Sequence, residues 1–244
     1  MCVAFVLLLA LPLAQCQQTA ESWFIKGNDF LDKGFYDLAI KCYDDSIKLN
    51  PNYADAWNNK GKVLAQQGNY TDAIKAFDEA IRLNPNDAIA WNNKCSALGH
   101  LDRYDEAVQA CDEAIKLDPK LVAPWTGKGI ALISLNKSDE ALRAFDEAVR
   151  LDPNNVLAWT GKGTTLAGEA IKAYGEAMRL DPSVWSDKGT ALIEEALKAF
   201  DEAIRLDPNY AMAWSGKYTA LTLLNRTIEA DAALGKAKEL GYEG

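Results

Sequence analysis

Between residues 52 and 85 the apolar residues follow the period of an α-helix twice, with a turn signal between the two runs. The first run holds Ala56, Trp57, Gly61 and Leu64, with Lys60 recurring at the same helical spacing, and the second holds Ala73, Ile74, Phe77, Ala80 and Ile81. Both runs have the i, i+3, i+4, i+7 spacing of one helix face. Gly68-Asn69-Tyr70 lies between them as a turn signal, and the Asn84-Pro85 step ends the second run. The pattern predicts two antiparallel helices joined by a short turn, and the chain has no strand signal.

The tryptophans show that this unit is repeated along the chain. They are Trp23, Trp57, Trp91, Trp125, Trp159, Trp185 and Trp214, with spacings of 34, 34, 34, 34, 26 and 29 residues. An Asn-Pro or Asp-Pro step separates successive units, at Pro51, Pro85, Pro119, Pro153, Pro182 and Pro208. A period near 34 is typical of stacked repeats. We therefore predict an all-α solenoid over residues 21–240, with about seven repeats that begin near residues 20, 54, 88, 122, 156, 183 and 211.

The fifth and sixth repeats are shorter than the others. From Trp to the next Pro there are 28 residues in the first four repeats but 23 in these two, and the missing residues match the interhelix turn Ser134–Ser138. In the sixth repeat only helix formers remain around the junction, so we predict one fused helix of about 20 residues, ~30 Å long. In the fifth repeat we expect a tight turn at Gly168. The regular groove should then be confined to the first four repeats, with the array disturbed after Leu166.

The repeated residues resemble the tetratricopeptide repeat. The matching pattern is Trp57-x-x-Lys60-Gly61-x-x-Leu64, followed by Ala73-x-x-x-Phe77, Ala80 and Pro85. The main departure is a lysine in place of the family's leucine, at Lys26, Lys60, Lys94, Lys128, Lys162, Lys188 and Lys217. The sequence Ala-Trp-Asn-Asn-Lys-Gly at residues 56–61 is similar to segments of the repeat arrays common in archaea and cyanobacteria. The resemblance implies a right-handed superhelix whose first helices line a concave groove that binds a protein or peptide.

Repeat position identifies the residues expected to line this groove. They are Asn58, Asn59, Lys62, Asn92, Asn93, Ser96, His100, Thr126, Ile130 and Ile133. The amide side chains of the four asparagines in this set can hydrogen-bond an extended peptide backbone. One family subgroup binds chaperone tails with a carboxylate clamp, and Asn28 and Asn59 match its two asparagines. Its cationic positions hold Phe24, Ile89 and Asn93 here, so we do not expect a clamp.

Composition and charge narrow the function further. The chain is 49% apolar and 25% charged, with a net charge of −9 that disfavours nucleic-acid binding. With His100 as the one histidine, sites that need two imidazoles are excluded. No motif indicates a catalytic residue, a metal site or a cofactor. Acid–base pairs such as Asp78/Arg82 recur at i,i+4 spacing and are expected on solvated faces. We expect an interaction scaffold, with self-assembly through homotypic contacts as the alternative and enzymatic activity as the least favoured reading.

The N-terminal residues have the pattern of a targeting segment. Val3–Ala14 is an uncharged run of twelve residues, too short to span a bilayer as a helix. It suits the apolar core of a signal peptide covering residues 1–16, with Ala14-Gln15-Cys16 at the cleavage site. The alternatives are a membrane anchor, or a lipid attached to Cys16, because residues 13–16 also resemble a lipobox. No later run is long enough to cross a membrane, so we expect a soluble, secreted or cell-envelope protein.

Cysteines and glycosylation sequons bear on the same question. Cys95 occupies the packing-glycine position and Cys111 the phenylalanine position of the third repeat, at one level of the hairpin. They form either a disulfide or two buried thiols. Cys42 has no partner and is expected to face solvent. Sequons at Asn69, Asn136 and Asn225 all fall in interhelix turns, where a glycan would fit.

Overall fold

The computed structural model describes residues 19–180 and 187–243, which form α-helices joined by short turns. These two ranges contain no β-strand, as predicted. The helices are α1 (Ala20–Asp32), α2 (Tyr36–Leu49), α3 (Ala54–Gln66), α4 (Tyr70–Leu83), α5 (Ala88–His100), α6 (Tyr104–Leu117), α7 (Val122–Ser134), α8 (Ser138–Leu151), α9 (Val156–Leu180), α10 (Asp187–Leu206), α11 (Ala211–Leu223) and α12 (Thr227–Glu239). The predicted signal peptide, Pro182 and Trp185 lie outside the described residues. No described helix is both long and apolar enough to span a membrane.

The helices form six antiparallel hairpins that stack in chain order. Each odd-numbered helix from α1 to α9 touches the next odd-numbered helix, whereas no two described even-numbered helices touch. The odd-numbered helices are therefore closer together and line the concave side, as the family resemblance implied. In this arrangement each hairpin covers an apolar face of its neighbour, which is how repeat arrays build a continuous core.

An aromatic ring clamped between glycines holds one hairpin to the next. The ring of Phe145 in α8 is completely buried. A Cβ atom built on Gly129 of its own hairpin would lie 2.7 Å from the ring, and one built on Gly161 of the next hairpin 2.4 Å. The absence of a side chain at both glycines lets the two helix backbones approach the ring. The same packing recurs at Phe200, between Gly163 and Gly216.

The recurrent lysine bridges consecutive hairpins. Lys60 Nζ in α3 lies 2.6 Å from a carboxylate oxygen of Asp44 in α2, and it also lies over the Trp57 ring at 5.4 Å. The indole N–H of Trp57 donates to the Pro51 carbonyl. We call this ion pair the lysine link; it joins Lys60–Asp44, Lys94–Asp78, Lys128–Asp112, Lys162–Asp146 and Lys217–Asp201 at 2.6–2.7 Å. At these five positions lysine makes an ion pair with the preceding hairpin that the family's leucine could not make.

The predicted i,i+4 pairs along the second helices are not formed. Each aspartate instead binds the lysine of the following hairpin. In α4, α6, α8 and α10 the arginine or lysine at the end of the helix pairs with a glutamate three residues before it. Arg82 pairs with Glu79 at 2.8 Å and Arg150 with Glu147. The prediction was wrong because the spacing within one helix does not show that a lysine of the next helix binds the same aspartate.

The two short repeats merge into one long hairpin. The sixth repeat is the single helix α10, 20 residues long, as predicted. The expected turn at Gly168 in the fifth repeat was wrong, because α9 runs unbroken for 25 residues through this position. A glycine inside a helix costs only about 1 kcal/mol. The continuous helix keeps Ala170 buried against α10, and this packing outweighs that small cost.

This merger exchanges the packing partners of the two repeats. Gly163 of the fifth repeat faces Phe200 of the sixth, with a built Cβ atom 2.8 Å from the ring. Gly189 of the sixth repeat faces Tyr174 of the fifth, at 2.7 Å. In a regular array each glycine would face the aromatic residue of its own repeat. Seven sequence repeats therefore build six hairpins.

We expect the burial of Tyr43 to lower the free energy of unfolding of the array as the pH becomes alkaline. Its side chain is completely buried and its hydroxyl donates to Asn28 Oδ1 at 2.8 Å. Burial raises its pKa to about 12, whereas an unfolded tyrosine has a pKa near ~10. The stabilisation from keeping the phenol neutral is complete below pH ~10 and is lost as pH rises from there towards 12. The wild type should therefore lose about 2–3 kcal/mol of its free energy of unfolding over this pH range because of Tyr43, and the Tyr43→Phe variant should not show this loss. Urea unfolding at several pH values measures this dependence, with Tyr210→Phe as the control. If the free energy of unfolding falls equally with pH in both variants, the prediction is contradicted.

Candidate functional site

The concave face carries an apolar cavity of about 540 Å³, which we call the larger cavity. It lies between α5, α7 and the first turn of α9, and its apolar lining includes Val122, Ala123 and Ala131. Ile130 and Leu157 also line it and keep 49% and 51% of their surfaces exposed. Exposed aliphatic groups around a concave opening are the usual feature of a ligand site.

The larger cavity exists where the third hairpin departs from the repeat. Cys95 and Cys111 replace the glycine and phenylalanine, and they form a disulfide with a Cα–Cα distance of 5.3 Å. A Cβ atom built on Gly127 of the next hairpin would lie 3.3 Å from Cys111 Sγ. The disulfide therefore lies where the hairpins on either side have an aromatic ring. Cys95 instead lines the cavity. The oxidation state of the pair in solution stays a prediction.

A smaller cavity of about 240 Å³ lies on the other side of α5, against α3 and α4. Lys62, Gln66 and Asn93 contribute polar groups to it. Ser96 and His100 line both cavities. The His100 ring stacks on Tyr70, with ring centroids 4.4 Å apart and planes at 10°. His100 is thus part of the wall between the two cavities.

Several asparagines of the predicted groove connect neighbouring first helices. Asn59 Nδ2 donates to Asn28 Oδ1 at 2.9 Å, and Asn93 Nδ2 donates to Asn58 Oδ1 at 3.1 Å. Asn58 is buried, with 9% of its surface exposed. These amides fix the spacing of α1, α3 and α5, so part of their hydrogen-bonding capacity is used within the protein.

The predicted groove residues fall into three groups. The larger cavity is lined by Asn92, Ser96, His100, Thr126 and Ile130, and the smaller one by Lys62, Asn93, Ser96 and His100. Asn58, Asn59 and Ile133 line neither cavity. Thr126 is 6% exposed, and its hydroxyl donates to the Val122 carbonyl. Ile133 packs into the core around Phe145.

Sequence reasoning missed Asn155 and Leu157, which extend the larger cavity into the fifth repeat. A signal was present, because Leu157 stands two residues before Trp159, as Ile89 does before Trp91, and both are more than half exposed. The first turn of α9 keeps the geometry of a regular first helix. The groove therefore reaches beyond the fourth repeat, because the irregularity begins only where the turn is missing.

The structure also places the remaining cysteine and the sequons. Cys42 is 4% exposed, so the expectation that it faces solvent was wrong; it lies on the face of α2 that also buries Ala39 and Tyr43, and burial raises its pKa. All three sequon asparagines are exposed in turns between paired helices: Asn69, Asn136 and Asn225. Their glycosylation stays a prediction.

Comparison with known proteins identifies the repeat. Tetratricopeptide repeat models match residues 26–88, 60–121 and 100–163, which together span more than half of the chain. A search of curated proteins found no match. Among solved structures, the chain is similar to Pseudomonas aeruginosa pilF, with 17% identity, a TM-score of 0.73, and coverage of 92% of this chain and 93% of that one.

Two further solved structures show the same fold. MamA from Desulfovibrio magneticus RS-1 is 19% identical with a TM-score of 0.64, covering 77% of this chain and 97% of that one. YrrB, described as a TPR protein with an unusual peptide-binding site, is 21% identical with a TM-score of 0.59, covering 82% and 92%. At these identities the likeness concerns the fold. From its matched repeats and its stacked hairpins, the chain belongs to the tetratricopeptide repeat family.

Proposed function

We propose that the chain is an extracytoplasmic scaffold that binds a protein or peptide partner along its concave face, with the larger cavity as the anchor point. The observation that carries this proposal is the open apolar cavity, with Ile130 and Leu157 half exposed at its opening. An apolar side chain of a partner would cover these two residues and remove their surface from water, at roughly 25 cal/mol per Å². The description of YrrB as having a peptide-binding site supports a peptide as the occupant.

The polar groups around the cavity suit an extended segment. Asn92 offers a carbonyl oxygen and an amide N–H₂ beside the apolar lining. Asn155 offers its N–H₂, because its Oδ1 already accepts from the Ala158 N–H at 2.9 Å and caps α9. Such groups can bond the main chain of a partner while the cavity takes one of its side chains. The chemistry is that of binding, and the proposal assigns no catalytic step to the chain.

Ile130→Glu should weaken peptide binding by at least about tenfold, because it places a charge where an apolar side chain must be desolvated. The probe is a peptide selected from a random library on the wild-type protein, with affinity measured by calorimetry. The matched control is Ile228→Glu, since Ile228 is an isoleucine on α12 with 86% of its surface exposed. Unchanged binding by Ile130→Glu, or equal losses in both variants, would contradict the proposal.

The extracytoplasmic location rests on three supporting features: the apolar run Val3–Ala14, the facing Cys95–Cys111 pair, and three exposed sequons. Expression of the full chain in a glycosylating host should yield secreted protein whose mass falls on treatment with an N-glycosidase. A variant with all three sequon asparagines changed to glutamine should be secreted without this mass shift. Retention of both proteins in the cytosol would contradict the location.

A further inference from the structure

The charge of the two cavities differs from that of the whole chain. The protein has 35 acidic residues and a net charge of −9. None of the residues that line the larger or the smaller cavity is an aspartate or a glutamate. The titratable nitrogen groups along them are the Lys62 amine and the His100 imidazole. An anionic ligand in either cavity would therefore not directly face a carboxylate of the lining, although the carboxylate of Asp102 accepts from the hydroxyl of the lining residue Tyr104.

Lys62 is also free to bind a carboxylate from outside. Lys60, two residues earlier, is held by Asp44 in a lysine link at 2.6 Å. Lys62 is exposed, and no carboxylate of the described residues lies within 4.0 Å of its Nζ atom. It lines the smaller cavity, whose floor includes Phe77 and Ala97. The groove thus offers an apolar anchor point on one side of α5 and an unpaired amine on the other.

The spacing of the two cavities fits a peptide. Both are lined by Ser96 and His100, which are one turn apart on α5, so the cavities flank a single helix. Packed helices lie ~8–10 Å apart, and the grooves on either side of one helix have a similar separation. An extended chain advances ~3.3 Å per residue. Side chains on one face are two positions and ~6.6 Å apart in a β-strand, and three positions and ~9.3 Å apart in a polyproline II chain. Either spacing can therefore present two side chains to the two cavities.

We propose that the groove selects peptides with an aliphatic or aromatic residue and, two or three positions away, an internal aspartate or glutamate. The apolar side chain enters the larger cavity, and the carboxylate pairs with Lys62 at the smaller one. This inference rests on the proposed function, and it adds the chemistry of the partner. It differs from a carboxylate clamp because it uses a side-chain carboxylate and a lysine of a different repeat position.

Degenerate peptide pools provide the test. Each pool fixes one leucine and places Asp, Asn or Lys two or three positions before or after it, with acetylated and amidated ends that remove terminal charges. Immobilised pools are exposed to the wild type and to Lys62→Glu, Ile130→Glu and Lys198→Glu. Lys198 is an exposed lysine of α10 that lines neither cavity, and it serves as the matched control.

On the wild type, the Asp pool at one or more of these spacings should bind about three- to tenfold tighter than its Lys counterpart, as expected for an exposed ion pair exchanged for a repulsion. Lys62→Glu should reverse this order, and Lys198→Glu should leave it unchanged. If Asp and Lys pools bind equally while Ile130→Glu still abolishes binding, the charge preference is wrong and the proposed function stands. If Ile130→Glu binds all pools as the wild type does, both fail.

Discussion

Phe145→Ala is expected to lower the free energy of unfolding by about 3–5 kcal/mol. The ring is completely buried and is clamped between Gly129 and Gly161, whose backbones come from two successive hairpins. Removing it leaves a cavity that small glycines cannot fill, and it loosens one hairpin and one interface together. Urea unfolding measures the change. Phe35→Ala is the control, because Phe35 is 55% exposed and contacts Phe30 edge-on, and it should lower the free energy of unfolding by less than about 1.5 kcal/mol.

The same contact can be tested from the glycine side. Gly161→Ala places a methyl group 2.4 Å from ring carbons that cannot move away, and it should cost about 1–3 kcal/mol. Gly168→Ala meets no atom within 4 Å in the middle of α9, so it should stabilise by about 0.5–1 kcal/mol. Opposite signs for one substitution type on one helix would establish the close approach at Gly161. A stabilising Gly161→Ala would refute it.

The exchange of partners in the long hairpin predicts which cysteine pairs can be cross-linked. The third hairpin provides the template, because cysteines at the glycine and phenylalanine positions form its disulfide. Gly163→Cys combined with Phe200→Cys should cross-link under mild oxidation, since these positions face each other. Gly163→Cys combined with Tyr174→Cys, the pair that a regular fifth hairpin would join, should not. Non-reducing peptide mapping distinguishes the two outcomes.

Restoring the missing turns should reverse this result. The segment Ser134–Ser138 supplies five residues of a working interhelix turn. Inserting it after Ala167 in α9 and after Ile193 in α10 should give two regular hairpins, so that Gly163→Cys cross-links to Tyr174→Cys instead. A 163–200 cross-link that persists in the doubly inserted chain would show that turn length does not determine the pairing.

Properties that depend on one helix were predictable from the sequence. The tryptophan period placed the hairpins, and the loss of the turn around Thr190 predicted the fused helix α10. Gly168 was misjudged because its local preference for a turn is weaker than the packing of α9 on α10. The lysine link and the partners of Asn58 depend on the register between helices, which periodicity does not contain. The larger cavity was missed for the same reason, although its cause, cysteine at the phenylalanine position, was visible.

The aspartate of the lysine link has no counterpart on α12, the last described helix. Every linking aspartate stands five residues after a buried alanine of its helix, as Asp78 does after Ala73, but the same position of α12 is Gly235. On the same helix Asp231 and Lys238 replace the aliphatic residues Ile74 and Ile81 of α4, and both are exposed. A second copy that approached the exposed face of α12 would find neither a carboxylate for its recurrent lysine nor an apolar surface for its tryptophan. α12 therefore lacks both contacts by which each of the five described hairpins before it holds the next one, and we expect its outer face to be a weak site for head-to-tail association of two copies.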